Sequence, residues 1–352
     1  MPSAGNSISR TIRAAISAPA WILALVTGAK SFVDNPIIGS PMLNRFGLHV
    51  LRIKAAHGLA GFRRRRLRHL IPEDLREQFD QNGFVLVPEG MVPEDFAALK
   101  ATLLEAELES RSHQQGDSIT RRVPIGPDVR HRFPQLNALL ESRRWKGVMA
   151  YVASTRSEPI YYIQTIFGGA VEGPPDPQLQ LHADTFHPSL KAWLFLTDVE
   201  ENGRPLTYVA GSHRLTEKRV EWERKKSLEV LSDGDRLSQR GSFRVAEEEL
   251  AALDLPAPTH FVVPANTLVV ADTCGFHARA NSSVPTVRVE LFAYCRRTPF
   301  LPWTGFDLLS WRPLAQRRAE WANAIVDWLD RRGLMKQHWR PIGPRRVAEP
   351  DA

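Results

Sequence analysis

Between Ile160 and Tyr294 the apolar residues come in short runs. They alternate with polar ones in places and are separated by Gly, Pro and Asn. That pattern predicts an antiparallel β-sandwich or barrel. Upstream the period lengthens. Pro72 to Asn82 predicts a short helix, with proline at a favoured first-turn position and acids beside it. Gly83 ends it, and Phe84-Val85-Leu86-Val87 predicts a strand. Pro93 to Leu108 predicts a longer amphipathic helix, with Phe96, Leu99, Leu103, Leu104 and Leu108 on one side. The Ser, Gln and Arg-rich stretch after it predicts a loop, and Phe133 to Tyr151 predicts helix again. The charged stretch Thr216 to Leu255 predicts a helical insertion in the β region. Ala315 to Arg332, carrying Trp321, Ile325, Trp328 and Leu329, predicts a C-terminal helix, and the Pro/Arg-rich tail after Pro341 predicts loose chain. No internal repeat is apparent.

Charge divides the chain. Residues 1–70 hold eleven Lys or Arg and one acid, Asp34, whereas the other 282 residues hold 35 bases and 38 acids. The net charge of +7 therefore belongs to an N-terminal appendage, expected to precede a main domain over 71–310 and a helix and tail over 311–352. Residues 14–29 lack charge but include Pro19 and Gly28, and they are short for a membrane span of about twenty residues. A signal-peptide reading, with Arg10 and Arg13 ahead and Thr27-Gly28-Ala29 as a cleavage-like site, conflicts with the basic segment continuing past Ala29. Residues 42–70 predict an amphipathic helix in which Leu43, Phe46, Val50, Leu51 and Ile53 mix with Arg45, Arg52 and Lys54 before the run Arg63–Arg66. Such a segment suits an anionic membrane surface. A solvated cap on the domain is the alternative. Nucleic acid is not expected, because aromatic interleaving is missing. Two cysteines, Cys274 and Cys295, in 352 residues fit a reducing, cytoplasmic setting better than a disulfide scaffold.

Candidate chemistry centres on His182-Ala183-Asp184, on His277 95 residues later, and on Arg288 eleven residues beyond that. Two imidazoles and a carboxylate are the ligand set of non-heme Fe(II) oxygenases, which keep open positions for a co-substrate and O2. Leu179 to Asp184 predicts a strand, placing His182 and Asp184 on one face. On a continuing strand His187 would face away, as a structural or substrate-lining residue. His213 is expected to brace a turn, and Arg279 to contact a substrate acid or to lie on the surface. Cys274 is a weaker candidate ligand, since a thiolate is unusual in this set.

These residues resemble the phytanoyl-CoA dioxygenase family of Fe(II)/2-oxoglutarate oxygenases, over roughly Asp80 to Tyr294. The likeness rests on Asn82-Gly83-Phe84-Val85-Leu86, His182-Ala183-Asp184, Lys191-Ala192-Trp193-Leu194-Phe195-Leu196, Glu201-Asn202-Gly203, Ala210-Gly211-Ser212-His213, and the distal His277 and Arg288. It implies a double-stranded β-helix (jelly-roll) core, mainly β with flanking helices. It also implies His182, Asp184 and His277 as iron ligands, and Arg288, Gln164 and Trp193 around 2-oxoglutarate. The reaction implied is hydroxylation of an aliphatic carbon by O2 with release of succinate and CO2, and ascorbate is a candidate reductant. Asp184 argues for hydroxylation, because members that halogenate carry a small residue there. Three positions depart from the pattern: Ala210 stands where Pro is usual, Gly168-Gly169 where a Lys or Gln can stand, and Glu290 where a small hydroxyl residue is common. With the basic appendage, the expected substrate is a small molecule, lipid or lipid-linked. A non-catalytic metal-binding jelly roll recruited to membranes is the alternative.

Overall fold

A computed structural model describes residues 18–232, 234–305 and 310–350. Eleven strands are described, labelled in chain order. They are β1 (Phe84–Val87), β2 (Glu107–Gln115), β3 (Ser118–Pro124), β4 (Ile160–Gly168), β5 (Leu190–Phe195), β6 (Leu206–Tyr208), β7 (Thr259–His260), β8 (Leu268–Asp272), β9 (His277–Arg279), β10 (Thr286–Cys295) and β11 (Arg340–Arg346). Eight form one sheet in the order β1-β8-β5-β10-β4-β3-β2-β11, and three form a smaller sheet, β7-β6-β9. Every described pairing is antiparallel. This is the jelly roll, its helices covering the large sheet on one side.

Alternation along the central strands decides what faces what. On β10, Val289, Leu291, Ala293 and Cys295 pack with Leu99, Leu136, Trp145 and Val152 of the covering helices. Phe292 instead joins Trp193, Phe195, Tyr208 and Phe261 in a core between the sheets. The same period turns Gln164, Lys191, Trp193 and Arg288 toward one cavity. A third cluster joins Phe32 and Ile38 of the N-terminal segment to Trp222, Phe243 and Leu250 of the insertion, and to Leu181, Ala183 and Phe276 beside the metal motif.

Several expectations need correction. The helix beginning at Pro93 ends at Leu103, and Leu108 lies on β2. Residues expected to form a loop make the β2–β3 hairpin, which turns at Gly116 with φ +58°. Its cavity face is polar, with Gln115, Thr120 and Arg122, so no apolar alternation marked it. The tail after Pro341 is not loose. β11 pairs with the outer edge of β2 through a register shift between Pro341 and Gly343, and an edge strand tolerates such prolines. In the insertion, Glu217–Glu229, Arg236–Gln239 and Glu247–Ala252 are helical. The expected C-terminal helix is Arg312–Asp330, and its Trp321, Ile325 and Trp328 are exposed.

The N-terminal helix Leu48–Leu67 buries Ile53, Ala56, Ala60 and Leu67 together with Arg52 and Arg63. Its buried stripe is thus partly guanidinium, and Phe46 and Leu51 are exposed, so the apolar positions do not collect on one face. Residues 18–70 pack on the domain, and Arg10 and Arg13 lie outside the described residues. No helix among the described residues is long and apolar enough to cross a membrane.

Candidate active site

Backbone pairing, not a strand, brings the two imidazoles together. Pro177–Leu179 is a 3-10 turn, capped by the Asp176 carboxylate accepting from the Gln178 N–H. The strand expected over 179–184 is replaced by an isolated bridge between His182 and His277. Each of these residues donates its N–H to the other's carbonyl at 3.0 Å. The Ala183 N–H then donates to Phe243 O and the Asp184 N–H to Thr273 O, so three segments clamp three consecutive residues. His182 and Asp184 face one centre because these clamps turn the chain, not because of strand period.

The ring nitrogens follow from their partners. His182 Nδ1 lies 2.7 Å from Gln180 O, and His277 Nδ1 lies 3.0 Å from Gly275 O. A nitrogen against a carbonyl carries the proton, which leaves each Nε2 with a lone pair. Both Nε2 atoms stand 3.8 Å from Asp184 Oδ1, and His277 Nε2 is buried without a hydrogen-bond partner. One ligand atom from each residue falls within 4.8 Å of the others. Burial, with the neighbouring His277 disfavouring a second charge, lowers the His182 pKa well below the ordinary range. Burial likewise takes His277 down to about 4. Burial pushes Asp184 the other way, but Lys191, His277 and Arg296 outweigh it and hold the carboxyl well below its usual range. Neutral imidazoles and an ionised carboxylate are the protonation states a divalent cation needs. The donor set therefore fits Fe(II).

A cavity of about 170 Å³ opens from this centre, and Gln164, Trp193, Arg279 and Arg288 line it. Arg288 is not waiting empty-handed. Its Nε donates to Glu290 Oε2 at 2.9 Å, and Nη1 donates to Arg204 O. Glu290 is fully buried and also accepts from Gln164 Nε2 at 2.5 Å, while Gln164 Oε1 accepts from Arg122 Nε at 2.7 Å. Trp193 is buried, 6.1 Å between ring centroids from Phe292, and lines the cavity as well as the core. Arg279 is no surface cation, because it pairs with the buried Asp176 at 2.7 Å.

Other candidates lie elsewhere. The Cys274 thiol is buried, its pKa raised well above normal by burial, and it donates to His213 O rather than joining the triad. Cys274 and Cys295 are not joined in a disulfide. His187 is buried with Nδ1 on Pro188 O, and His213 packs on Phe79. Sequence reasoning passed over Lys191, Lys30 and Arg296. Lys191 Nζ lies 2.7 Å and Arg296 Nη2 3.2 Å from Asp184 Oδ2, and Lys30 donates to the Asp184 carbonyl. Lys191 carried a signal, as one lysine in the otherwise apolar Leu190–Leu196. Lys30 carried none, being 154 residues away in sequence.

Residues 79–236 match the model of the phytanoyl-CoA dioxygenase (PhyH) family. That span is a PhyH domain. It includes His182 and Asp184 and stops short of His277 and Arg288, which reach the site through the fold. Solved structures similar to the chain include the non-heme α-ketoglutarate-dependent epimerase SnoN from nogalamycin biosynthesis. It has 18% identity and TM-score 0.40, with 67% of this chain and 91% of that one covered. The carbocyclase SnoK of the same biosynthesis has 17% identity and TM-score 0.39, with 64% and 83% covered. HygX from Streptomyces hygroscopicus, with nickel and 2-oxoglutarate bound, has 15% identity and TM-score 0.40, with 63% and 86% covered. No curated protein matches the sequence.

Proposed function

We propose that this PhyH-domain protein is an Fe(II)/2-oxoglutarate-dependent hydroxylase acting on an aliphatic carbon of a small molecule. The observation that carries the reading is the buried triad, with two Nε2 lone pairs and one carboxylate oxygen aimed at a common centre. His182, Asp184 and His277 would hold the iron. Bound there with 2-oxoglutarate and O2, the iron supplies oxidative decarboxylation to succinate and CO2 and the oxidising power to place oxygen in a C–H bond. The Gln180 and Gly275 carbonyls keep the proton on each Nδ1 and so keep each Nε2 free. Arg288 is the cation for the far carboxylate of 2-oxoglutarate, with Gln164 and Trp193 beside it. The burial of His182, Asp184 and His277 restricts water at the centre, which favours a bound substrate as the group oxidised. Asp184 fills the position that a halide would need.

Succinate formed from 2-oxoglutarate with added Fe(II), together with species lighter by one oxygen in a deletion strain, tests the assignment. No succinate from protein that holds both metal and 2-oxoglutarate would favour the non-catalytic module instead.

The finer substrate reading is a lipid or lipid-linked molecule met at an anionic membrane surface. Its support is the exposed stripe Leu51, Lys54, Phe62 and Arg65 on the helix Leu48–Leu67, with exposed Ile22, Leu23 and Phe46 nearby in the chain. Liposome co-sedimentation tests it. Binding to anionic vesicles should fall several-fold in Phe46→Asp/Leu51→Asp, and equal binding to neutral vesicles would end the electrostatic part.

A further inference from the structure

We propose that Lys30, Lys191 and Arg296, converging on the outer side of Asp184, form a receptor for an oxyanion carried by the substrate, so that the N-terminal segment completes the active site. The inference rests on the oxygenase reading above. Asp184 Oδ1 faces the imidazoles, whereas Oδ2 faces Lys191 Nζ and Arg296 Nη2 at 2.7 and 3.2 Å. Lys30 Nζ holds the carbonyl of the same residue. Among the described residues Asp184 is the one acid within 4 Å of any of these three cations. Exposure rises outward: the side chains of Asp184, Lys191 and Arg296 are 10%, 20% and 45% accessible. The cations therefore lie between the metal centre and solvent.

Charge makes the vacancy. A divalent metal on Oδ1, the Asp184 carboxylate and dianionic 2-oxoglutarate would together carry a charge of −1. Against that single negative charge the three cations are in excess by two, in a place of restricted hydration where Coulomb attraction for an anion is strengthened. A fourth cation, Arg244, is close enough to act on Lys30, but Asp235 shares its charge. An oxyanion accepts from ammonium and guanidinium groups alike, the latter bidentately.

The position of Lys30 is built rather than incidental. The buried Arg52 donates to the carbonyls of Leu25, Thr27 and Ala29, fixing the loop that ends in Lys30. On its other side Gly241 packs so closely that a Cβ would stand 2.2 Å from Lys30 O. A surface lysine needs neither device.

The test uses the full chain with Mn(II) and 2-oxoglutarate, and reads the binding of phenyl phosphate and of benzoate by calorimetry. Wild type should bind at least one probe, and the preferred probe tells a phosphoryl from a carboxylate group. Lys30→Gln and Arg296→Gln should each weaken binding tenfold or more and leave Mn(II) affinity within about threefold. Arg68→Gln, an exposed arginine on the same segment, should change nothing. Should Lys30→Gln fail to fold, Arg296→Gln decides alone. Wild type that holds metal and 2-oxoglutarate but neither probe overturns this inference only, as does equal weakening by Arg68→Gln. Wild type that holds no metal overturns the oxygenase reading as well.

Discussion

Buried arginines are handled in opposite ways in the cavity and in the N-terminal segment. Around the cavity three of them meet a carboxylate, Arg204 with Asp117, Arg279 with Asp176 and Arg288 with Glu290, and Arg122 meets the Gln164 amide oxygen. In the segment they meet backbone carbonyls. Arg63, 2% exposed, donates to Ser154 O, Pro299 O and Leu301 O, and Arg52 to three carbonyls of its own loop. Burial lowers the pKa of Arg52 and Arg63 to about 10 and lowers that of Arg279 as well, whereas the hydrogen bond that Arg204 donates to Asp117 raises its own. Both segment arginines stay charged at neutral pH. Carboxylate pairs leave a polar wall of near-zero charge on which a ligand can be oriented. Carbonyl-bound guanidiniums keep their charge and act as fasteners for irregular chain. One residue type thus lines a pocket in one region and sews the fold together in the other.

The largest effect expected is at the centre of the cavity. His277→Ala should lower 2-oxoglutarate turnover by 10³-fold or more, about 4 kcal/mol, and weaken metal binding. The melting temperature should hardly move. A variant retaining a tenth of wild-type turnover would sink the triad. Arg63→Met is the opposite case. It strips the carbonyls of Ser154, Pro299 and Leu301 of a charged donor, and the expected loss of stability is about 3 kcal/mol. Metal affinity of the folded fraction should stay unchanged. An unaltered denaturation midpoint would mean the fastener view is wrong.

Glu290→Gln sharpens the contrast within the cavity. The substitution frees Arg288 of its counter-charge while keeping a similar shape. The binding of 2-oxoglutarate should tighten several-fold, because a buried anion no longer opposes its far carboxylate. Stability should drop by about 2 kcal/mol, since a guanidinium is left unpaired. Weaker 2-oxoglutarate binding, seen by calorimetry, would place Glu290 as a support of the co-substrate site rather than an opponent.

What the sequence made legible follows the same division. The β-region, the covering helices and the triad were readable because alternation, helix period and a metal motif are local signals. Pro177 hid the turn before His182, but the pairing of His182 with His277 delivers the geometry that a strand was expected to give. The β2–β3 hairpin and β11 were invisible, since their faces are polar or proline-rich and carry no apolar period. The partner of Arg288 stood in plain view as Glu290, but spacing alone does not say that a guanidinium two residues away on one strand will bond it. Lys30 was beyond reach, for only the fold brings it to Asp184.

The smallest effect tests whether the N-terminal segment seals the domain. His187 is 2% exposed, and its Nε2 lies against Gly28 of the segment, where a Cβ would stand 3.2 Å away. Burial depresses its pKa to about 4, and burial takes His213, which packs on Phe79 in the helical layer, to about 3. Both fold as neutral rings. The unfolded chain takes up their protons near pH 6.5, so between 6.5 and about 4 it binds more protons than the folded one, and stability falls as pH falls. By pH 5 the loss is roughly 1–2 kcal/mol per histidine. His187→Gln should flatten the slope of unfolding free energy between pH 7 and pH 5 by that amount, and His213→Gln by a similar one. If only His213→Gln does so, water reaches His187 in solution and the segment sits more loosely on the domain than Arg52 and Arg63 imply.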